Sequence, residues 1–250
     1  MTGDEMNARP VTSTGILSDL KFFFIHRPAI PTLVDFSSEA DRTEYNHRIL
    51  QRLEIDVAEY AILNIHKIGI EAPILYVFEE MLKWDGDSTC WPNHVAEVER
   101  VNGLLENIGI FLFGYRKYPF GLKGGFFGLK FIPLFNLTLV KIQEHPDSSD
   151  IDNARFLLFE SSGGYPIGHF AIYARSSIAA EGETEATQMF AVVGFDFYGN
   201  KKRSNISIVN ALWESIHNRV TSNIMNRFKQ LCEWRFHNVQ NGVYTRRDNP

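Results

Sequence analysis

Two hydrophobic periodicities divide the chain into a mixed first part, a run of strands and a long final helix. Residues 39–53 repeat apolar side chains every four residues, which predicts a helix that begins at Ser37-Ser38-Glu39. Residues 61–70 alternate apolar and polar positions, which is typical of a strand, and Ala72-Pro73 ends it. Residues 74–82 return to helical spacing and predict a second, shorter helix.

Strands dominate the chain from residue 95 to residue 198. The segments rich in β-branched and aromatic residues are 95–101, 110–115, 131–143, 154–160, 167–175 and 188–198. Turn residues separate these segments, and no helical pattern lies between them. Because strands without intervening helices pair with their neighbours in sequence, the pattern predicts an antiparallel meander.

The longest helical pattern covers residues 205–235, which contain neither proline nor glycine. The apolar stripe predicted along it consists of Ile206, Val209, Trp213, Ile216, Val220, Ile224 and Leu231. At 1.5 Å per residue such a helix is about 45 Å long. We therefore expect it to lie across most of the sheet, since only the sheet can bury the whole stripe.

The order of these elements resembles the START/Bet v 1-like superfamily, which is also called polyketide cyclase/dehydrase-like. The residues that carry the resemblance are Ile68-Gly69-Ile70-Glu71-Ala72-Pro73, Val77-Phe78, Trp84, Trp91-Pro92, the strand after them up to Gly103, and Trp213, Ile216, His217 and Met225 of the closing helix. The resemblance spans residues 62–233. It implies an α+β helix-grip fold, with a curved antiparallel sheet around the long C-terminal helix, and an apolar cavity that holds a hydrophobic small molecule.

The first sixty residues depart from that family, whose first strand lies near the N-terminus. We therefore expect an N-terminal extension with one helix over residues 1–58, a helix-grip ligand-binding domain over 59–236 and a C-terminal tail over 237–250. The extension offers a surface through which a homo-oligomer could form.

Composition narrows the possible partners and the compartment. The chain has 250 residues, 44% of them hydrophobic, and a net charge of −5, which argues against a nucleic-acid partner. Its two cysteines lie outside any metal-binding spacing, and no sequence motif indicates a metal or a cofactor. Residues 1–10 lack a signal-peptide pattern, and no apolar run reaches the roughly 20 residues that span a membrane. We expect a cytoplasmic protein with reduced thiols.

Candidate chemistry lies on the first strand and the last helix. Asn64 and His66 alternate in phase with Ile68, so both face inward, while Asn210 and His217 border the stripe of the long helix. A neutral imidazole in an apolar cavity can accept or donate a proton near neutral pH, so His66 and His217 are the candidate catalytic residues. The alternative for each histidine is a structural polar group whose hydrogen bonds are satisfied inside the fold.

Aromatic side chains complete the expected binding site. The candidate ligand-binding residues are Asn64, Trp91, Phe126, Phe127, Phe195, Asn210 and Trp213. Phe126 and Phe127 belong to the glycine-rich segment 118–130, which we expect to form a lid over the cavity. That segment lacks the spacing of a phosphate-binding loop. On the strand over 167–175 we expect the apolar face to point inward and His169, Tyr173 and Arg175 to lie outside.

Two functions from different classes fit this architecture. The first is a cofactor-independent cyclase, dehydratase or isomerase of a polyketide-like or terpenoid-like substrate, a lyase or isomerase of secondary metabolism. The second is a non-catalytic carrier or sensor of a lipid or aromatic ligand. Converging histidines inside the cavity favour the enzyme, and a wholly apolar lining favours the carrier.

Overall fold

The helices and strands follow the sequence pattern closely. The computed structural model describes residue 21 and residues 25–55, 62–82, 96–100, 107–112, 132–146, 153–162, 167–177, 185–196 and 207–241. The helices are α1 (Glu39–Arg52), α2 (Ile74–Leu82) and α3 (Ser207–Gln240). The strands are β1 (Ile62–Ile70), β2 (Ala96–Arg100), β3 (Asn107–Leu112), β4 (Ile132–Gln143), β5 (Arg155–Ser162), β6 (Ile167–Ser177) and β7 (Ala186–Asp196).

The strands form one seven-stranded sheet in the order β1-β7-β6-β5-β4-β3-β2. Every neighbouring pair is antiparallel, so β2 to β7 form the predicted meander and the last strand pairs with the first. The register shifts between Ile110 and Phe111 and between Leu139 and Lys141, and such irregularities bend a sheet. With the long closing helix, this is the α+β helix-grip fold that the sequence predicts.

One face of the sheet packs against α3 and α2. Ile68 and Ile70 of β1 belong to the same apolar cluster as Met225, Phe228 and Leu231 of α3. Val77, Phe78 and Met81 of α2 join that cluster. The predicted helix over 205–235 is a single uninterrupted helix, and it continues to Gln240.

The prediction for the apolar stripe is wrong at Ile216, in the first half of α3. Ile216, which was placed on the buried stripe, is 37% exposed, whereas Ser222 and Asn223 are buried. The reason is that the part of β1 next to this half of the helix presents Asn64 and His66, and polar side chains of α3 turn toward them. Apolar packing resumes at Met225, beside the isoleucines of β1.

The opposite face of the sheet is covered by α1. Ile49, Leu50 and Leu53 pack on a second cluster of apolar side chains from the sheet, namely Ile65, Phe156, Leu158, Ala171, Tyr173, Phe190 and Val192. Tyr173 therefore lies on the outer face, as predicted, but it is 1% exposed because α1 covers it. Arg52 of α1 donates a hydrogen bond to the Tyr173 hydroxyl over 2.6 Å.

Irregular chain before α1 covers the outer edge of β1. The Lys67 amide donates to the Thr32 carbonyl over 2.7 Å, and the Val34 amide donates to the Ile65 carbonyl over 3.3 Å. The same segment is fastened to α3, where the Asn226 amide accepts from the Ile30 nitrogen at 3.0 Å and donates to the Ile30 carbonyl at 2.8 Å. This segment therefore fills the angle between β1 and α3 and brings Thr32 beside His66.

Candidate functional site

The candidate site lies where the first half of β1 faces the first half of α3. Side chains two residues apart on a strand share a face, which places Asn64 and His66 in line with Ile68. Residues four apart on a helix share a face, which aligns Glu214, Asn218 and Ser222 opposite them. The interface between these elements is thus apolar at one end and polar at the other.

His66 is the centre of the polar part. It has no exposed surface, and its Nδ1 lies 2.9 Å from the Thr32 hydroxyl. Its Nε2 lies 3.2 Å from Oδ1 of Asn218, and the Thr32 hydroxyl lies 2.7 Å from that of Ser222. Both ring nitrogens therefore have partners, and these partners come from two separate parts of the chain, the irregular segment before α1 and α3.

Asn64 extends this chain of polar groups toward the helix start. With its amide nitrogen facing the carboxylate, Asn64 donates to Oε1 of Glu214 over 2.9 Å, and its oxygen then lies 3.0 Å from the Asn218 amide. Polar contacts thus run from Glu214 through Asn64, Asn218 and His66 to the hydroxyl groups. Such networks fix side chains in one arrangement, because each unpaired buried group would cost free energy.

The orientation of Asn218 selects the tautomer of His66. If the Asn218 oxygen faces Nε2, the ring carries its proton on Nε2 and accepts from Thr32. If the amide nitrogen faces Nε2, the ring carries its proton on Nδ1 and donates to Thr32. Both arrangements keep His66 neutral. Only the second also lets Asn218 donate to the Asn64 oxygen, because the Asn218 atom that faces Nε2 lies 3.0 Å from that oxygen.

His217 is the second imidazole of the site. Its ring centroid lies 6.3 Å from that of His66, with the two planes inclined by 59°. The rings come from facing elements, so the two side chains approach from opposite walls. The Nδ1 atom of His217 is buried.

Burial keeps both imidazoles neutral. It lowers the pKa of His66 to about 3, with a smaller contribution from His217, against the hydrogen bond to Asn218. It also lowers the pKa of His217 to about 4, again against a hydrogen bond to Asn218. A neutral imidazole offers one donor and one acceptor, so the pair is suited to binding or polarising a carbonyl or hydroxyl group.

For three of the remaining candidate residues the structure describes the backbone only, and the other three lie outside the described residues. Phe195 lies opposite Ile62 in the register of β7 and β1. Asn210 and Trp213 precede His217 by two turns and one turn of α3. All three positions therefore lie toward the polar end of the interface. Trp91, Phe126 and Phe127, with the lid predicted over 118–130, lie outside the described residues.

Thr32, Asn218 and Ser222 were missed by the sequence reasoning. Asn218 and Ser222 had a signal, since Glu214, Asn218 and Ser222 form a polar row at intervals of four beside the apolar stripe. Thr32 had none, because it lies in irregular chain without periodicity, and its contact with His66 spans 34 residues.

The described residues form neither a metal-binding cluster nor a membrane-spanning helix. Among the described residues, no three His, Cys, Asp or Glu side chains are grouped so that they could hold a metal ion. No described helix combines the length and the apolar character needed to cross a membrane.

Comparisons with known proteins add structural likeness at low similarity. No family model matches the chain, and no curated protein matches it. A conserved protein from Geobacillus kaustophilus and the Zhui aromatase/cyclase from Streptomyces sp. R1128 each share 10% identity at a TM-score of 0.37, covering 68% of this chain and 95% of their own. Ara h 8.0201 shares 10% identity at a TM-score of 0.33, covering 66% of this chain and 97% of its own. At this similarity the comparisons carry no information about ligand or reaction.

Proposed function

We propose that this protein binds a hydrophobic small molecule between the sheet and α3, and that at least one of His66 and His217 acts as an acid or base on the polar group of that molecule. The observation that carries the proposal is the pair of neutral imidazoles, 6.3 Å apart on facing elements. Burying a polar side chain costs free energy unless hydrogen bonds compensate for it, so such side chains are retained for the fold or for a function. Here they are concentrated at one end of an otherwise apolar interface.

The chemistry that fits this pair is cofactor-independent cyclisation, dehydration or isomerisation of a polyketide-like or terpenoid-like substrate. One imidazole accepts a proton from carbon, and the hydrogen bonds of the other keep the polar wall of the site in place. The accepted proton is then delivered to the product or to the leaving hydroxyl group. Enclosure holds the flexible substrate in one conformation, and general acid–base help contributes about 10²–10⁴-fold in rate.

His217 is the better candidate for the proton-transferring role. His66 has both ring nitrogens engaged with Thr32 and Asn218, so it serves best to position Asn218 and the wall around it. The Asn218 hydrogen bond favours the charged form of His217, which offsets part of the effect of burial on its pKa. A base is most effective when its pKa lies near the working pH, and this contact raises the pKa of His217 toward that range.

A carrier or sensor of a lipid or aromatic ligand is the second candidate. It is favoured by the low pKa of both histidines and by the complete hydrogen bonding of His66. In that case the polar network fixes α3 against β1 and gives the ligand a single polar contact.

Native mass spectrometry of the purified chain, followed by solvent extraction, tests the binding proposal. We expect an apolar molecule to co-purify and to leave the protein on extraction. Absence of any bound molecule, together with no binding of hydrophobic probes, would contradict it.

Turnover by His217→Gln and His66→Gln separates the two functions once the molecule is known. We expect a loss of about 10²-fold or more for His217→Gln, because glutamine keeps the polarity and removes the titration. His169→Gln is the matched control, since His169 pairs with Glu160 on the outer face. Equal turnover by all variants would contradict a catalytic role for the histidines and leave the carrier as the proposed function.

A further inference from the structure

A pocket of about 110 Å³ lies on the outer face of the sheet, beneath α1. Its lining consists of Tyr45, Arg48, Ile49, Arg52, Arg175 and Phe190. The sheet separates it from His66 and His217, because Phe190 belongs to the cluster under α1 and the histidines face α3. The pocket is therefore distinct from the proposed ligand site.

The described lining carries three guanidinium groups and no carboxylate. Arg48 and Arg52 are four residues apart on α1, a spacing at which like charges repel. Arg175 of β6 lies over the Phe190 ring, 5.5 Å from its centroid, and its Nε and Nη2 donate to Oε1 of Gln188 over 3.2 and 2.9 Å. Lys67 adds positive charge on the other strand beside Phe190, 6.0 Å from the same ring.

The Glu44 carboxylate neutralises Arg48 only weakly. Oε1 of Glu44 lies 4.0 Å from Nε of Arg48, and the two side chains are 74% and 65% exposed. Exposed pairs of this kind contribute little, because water screens them. The pocket therefore brings three guanidinium groups together beside an apolar floor.

Tyr45 provides a donor in the same place. Its hydroxyl is buried and has no hydrogen-bond partner among the described residues. Burial raises the pKa of Tyr45, against the charges of Arg175 and Arg48, so the hydroxyl keeps its proton at neutral pH. A buried donor without an acceptor costs free energy, which an oxygen atom in the pocket would recover.

We propose that this pocket is a binding site for a small oxyanion, of which phosphate is the best match. Guanidinium groups bind phosphate and carboxylate oxygens through parallel hydrogen bonds, and here they converge from a helix and a strand together with a hydroxyl donor. Several donors from different directions suit an anion with several oxygens. The volume admits such a group, while drug-sized ligands occupy about 300–1,000 Å³.

Binding of the anion joins α1 to the sheet. Arg48, Arg52 and Tyr45 belong to α1, whereas Arg175 belongs to β6, so one bound oxyanion contacts both elements. The site thus couples the concentration of a phosphate compound to the attachment of α1.

A titration of the full-length ¹⁵N-labelled chain with inorganic phosphate, at constant ionic strength set with sodium chloride, tests the site. We expect saturable shifts of the amide signals of residues 45–52, Arg175 and Phe190. Phenyl phosphate forms a second arm, since it binds only if the site accepts a phosphate group carried on a larger molecule. Weaker binding of phenyl phosphate than of phosphate identifies the free anion as the ligand.

Three variants decide the outcome. Arg48→Gln replaces a largely exposed side chain, so it keeps the fold, and it should weaken phosphate binding about tenfold, the effect of one charge-assisted hydrogen bond. Tyr45→Phe removes only the hydroxyl and should also weaken binding. Arg42→Gln is the matched control on the same helix, outside the pocket. The proposal is overturned if phosphate causes no saturable shift, or if Arg48→Gln and Tyr45→Phe bind phosphate as tightly as the parent.

Discussion

His66 combines complete burial with two hydrogen-bonded ring nitrogens, and both features follow from its neighbours. Thr32 and Asn218 hold the ring, and His217 lies across the interface. A charge at either imidazole would lose its hydration, so the neutral form is preferred. The folded state therefore resists protonation of both rings.

The free energy of unfolding should therefore fall as the pH is lowered from 6.5 to 4. The pKa values of His66 and His217 are lowered from 6.5 to about 3 and about 4. Well above pH 6.5 both rings are neutral whether the chain is folded or unfolded, so neither histidine lowers the free energy of unfolding. Below pH 6.5 the unfolded chain takes up protons that the folded chain refuses, so stability falls by about 1.4 kcal/mol per pH unit for each histidine.

Urea unfolding at a series of pH values measures this slope. His217→Gln should make the decline shallower, because one of the two refused protons is removed. His169→Gln on the outer face is the control, and the slope of its unfolding free energy against pH should match that of the parent. Parallel stability profiles for the parent and His217→Gln would show that His217 is not buried as a neutral ring.

At the scale of elements, α3 serves two surfaces at once. Its second half packs apolar side chains against β1 and α2, and its polar side chains fasten the irregular chain before α1. Asn226 satisfies both backbone groups of Ile30, and it also donates to the Ser222 carbonyl. Asn226 thus helps to hold the segment that supplies Thr32 to the site, together with the backbone bonds to β1 and the Asn223 amide, which donates to the His26 carbonyl over 3.2 Å.

Asn226→Ala should loosen that segment. The nitrogen and the carbonyl of Ile30 both lose their partner, and because Ile30 is 40% exposed and water can replace the amide, the cost is about 0.5–1.5 kcal/mol for each hydrogen bond. Hydrogen exchange should accelerate at the amides of Ile30 and Lys67, the latter because it bonds to Thr32. Asn238→Ala is the matched control, since Asn238 donates to Trp234 within the helix. Unchanged exchange at Ile30 would contradict the role of Asn226.

At the scale of the whole molecule, the sequence predicted the elements better than their surroundings. Alternation located β1 and the inward face of Asn64 and His66, and the absence of proline and glycine located α3. Burial of Tyr173 and exposure of Ile216 were not predicted, because each depends on an element far away in sequence, α1 for the former and β1 for the latter. Periodicity identifies the faces of one element, whereas only the assembled fold decides what covers each face.

The same distinction applies to the site. His66 and His217 were selected by their phase on separate elements, and the assembled structure sets them 6.3 Å apart. Thr32 was unpredictable because its place is fixed by backbone bonds to β1 and not by a pattern of its own.

The most direct test of the central claim is NMR of the histidine side chains during titration with a hydrophobic probe such as 1-anilinonaphthalene-8-sulfonate. If an apolar ligand binds between β1 and α3, the imidazole signals of His66 and His217 shift and saturate with the probe. The signal of His169, on the outer face, stays in place. Saturable shifts at His169 with none at His66 and His217, or no saturable binding, would contradict the account.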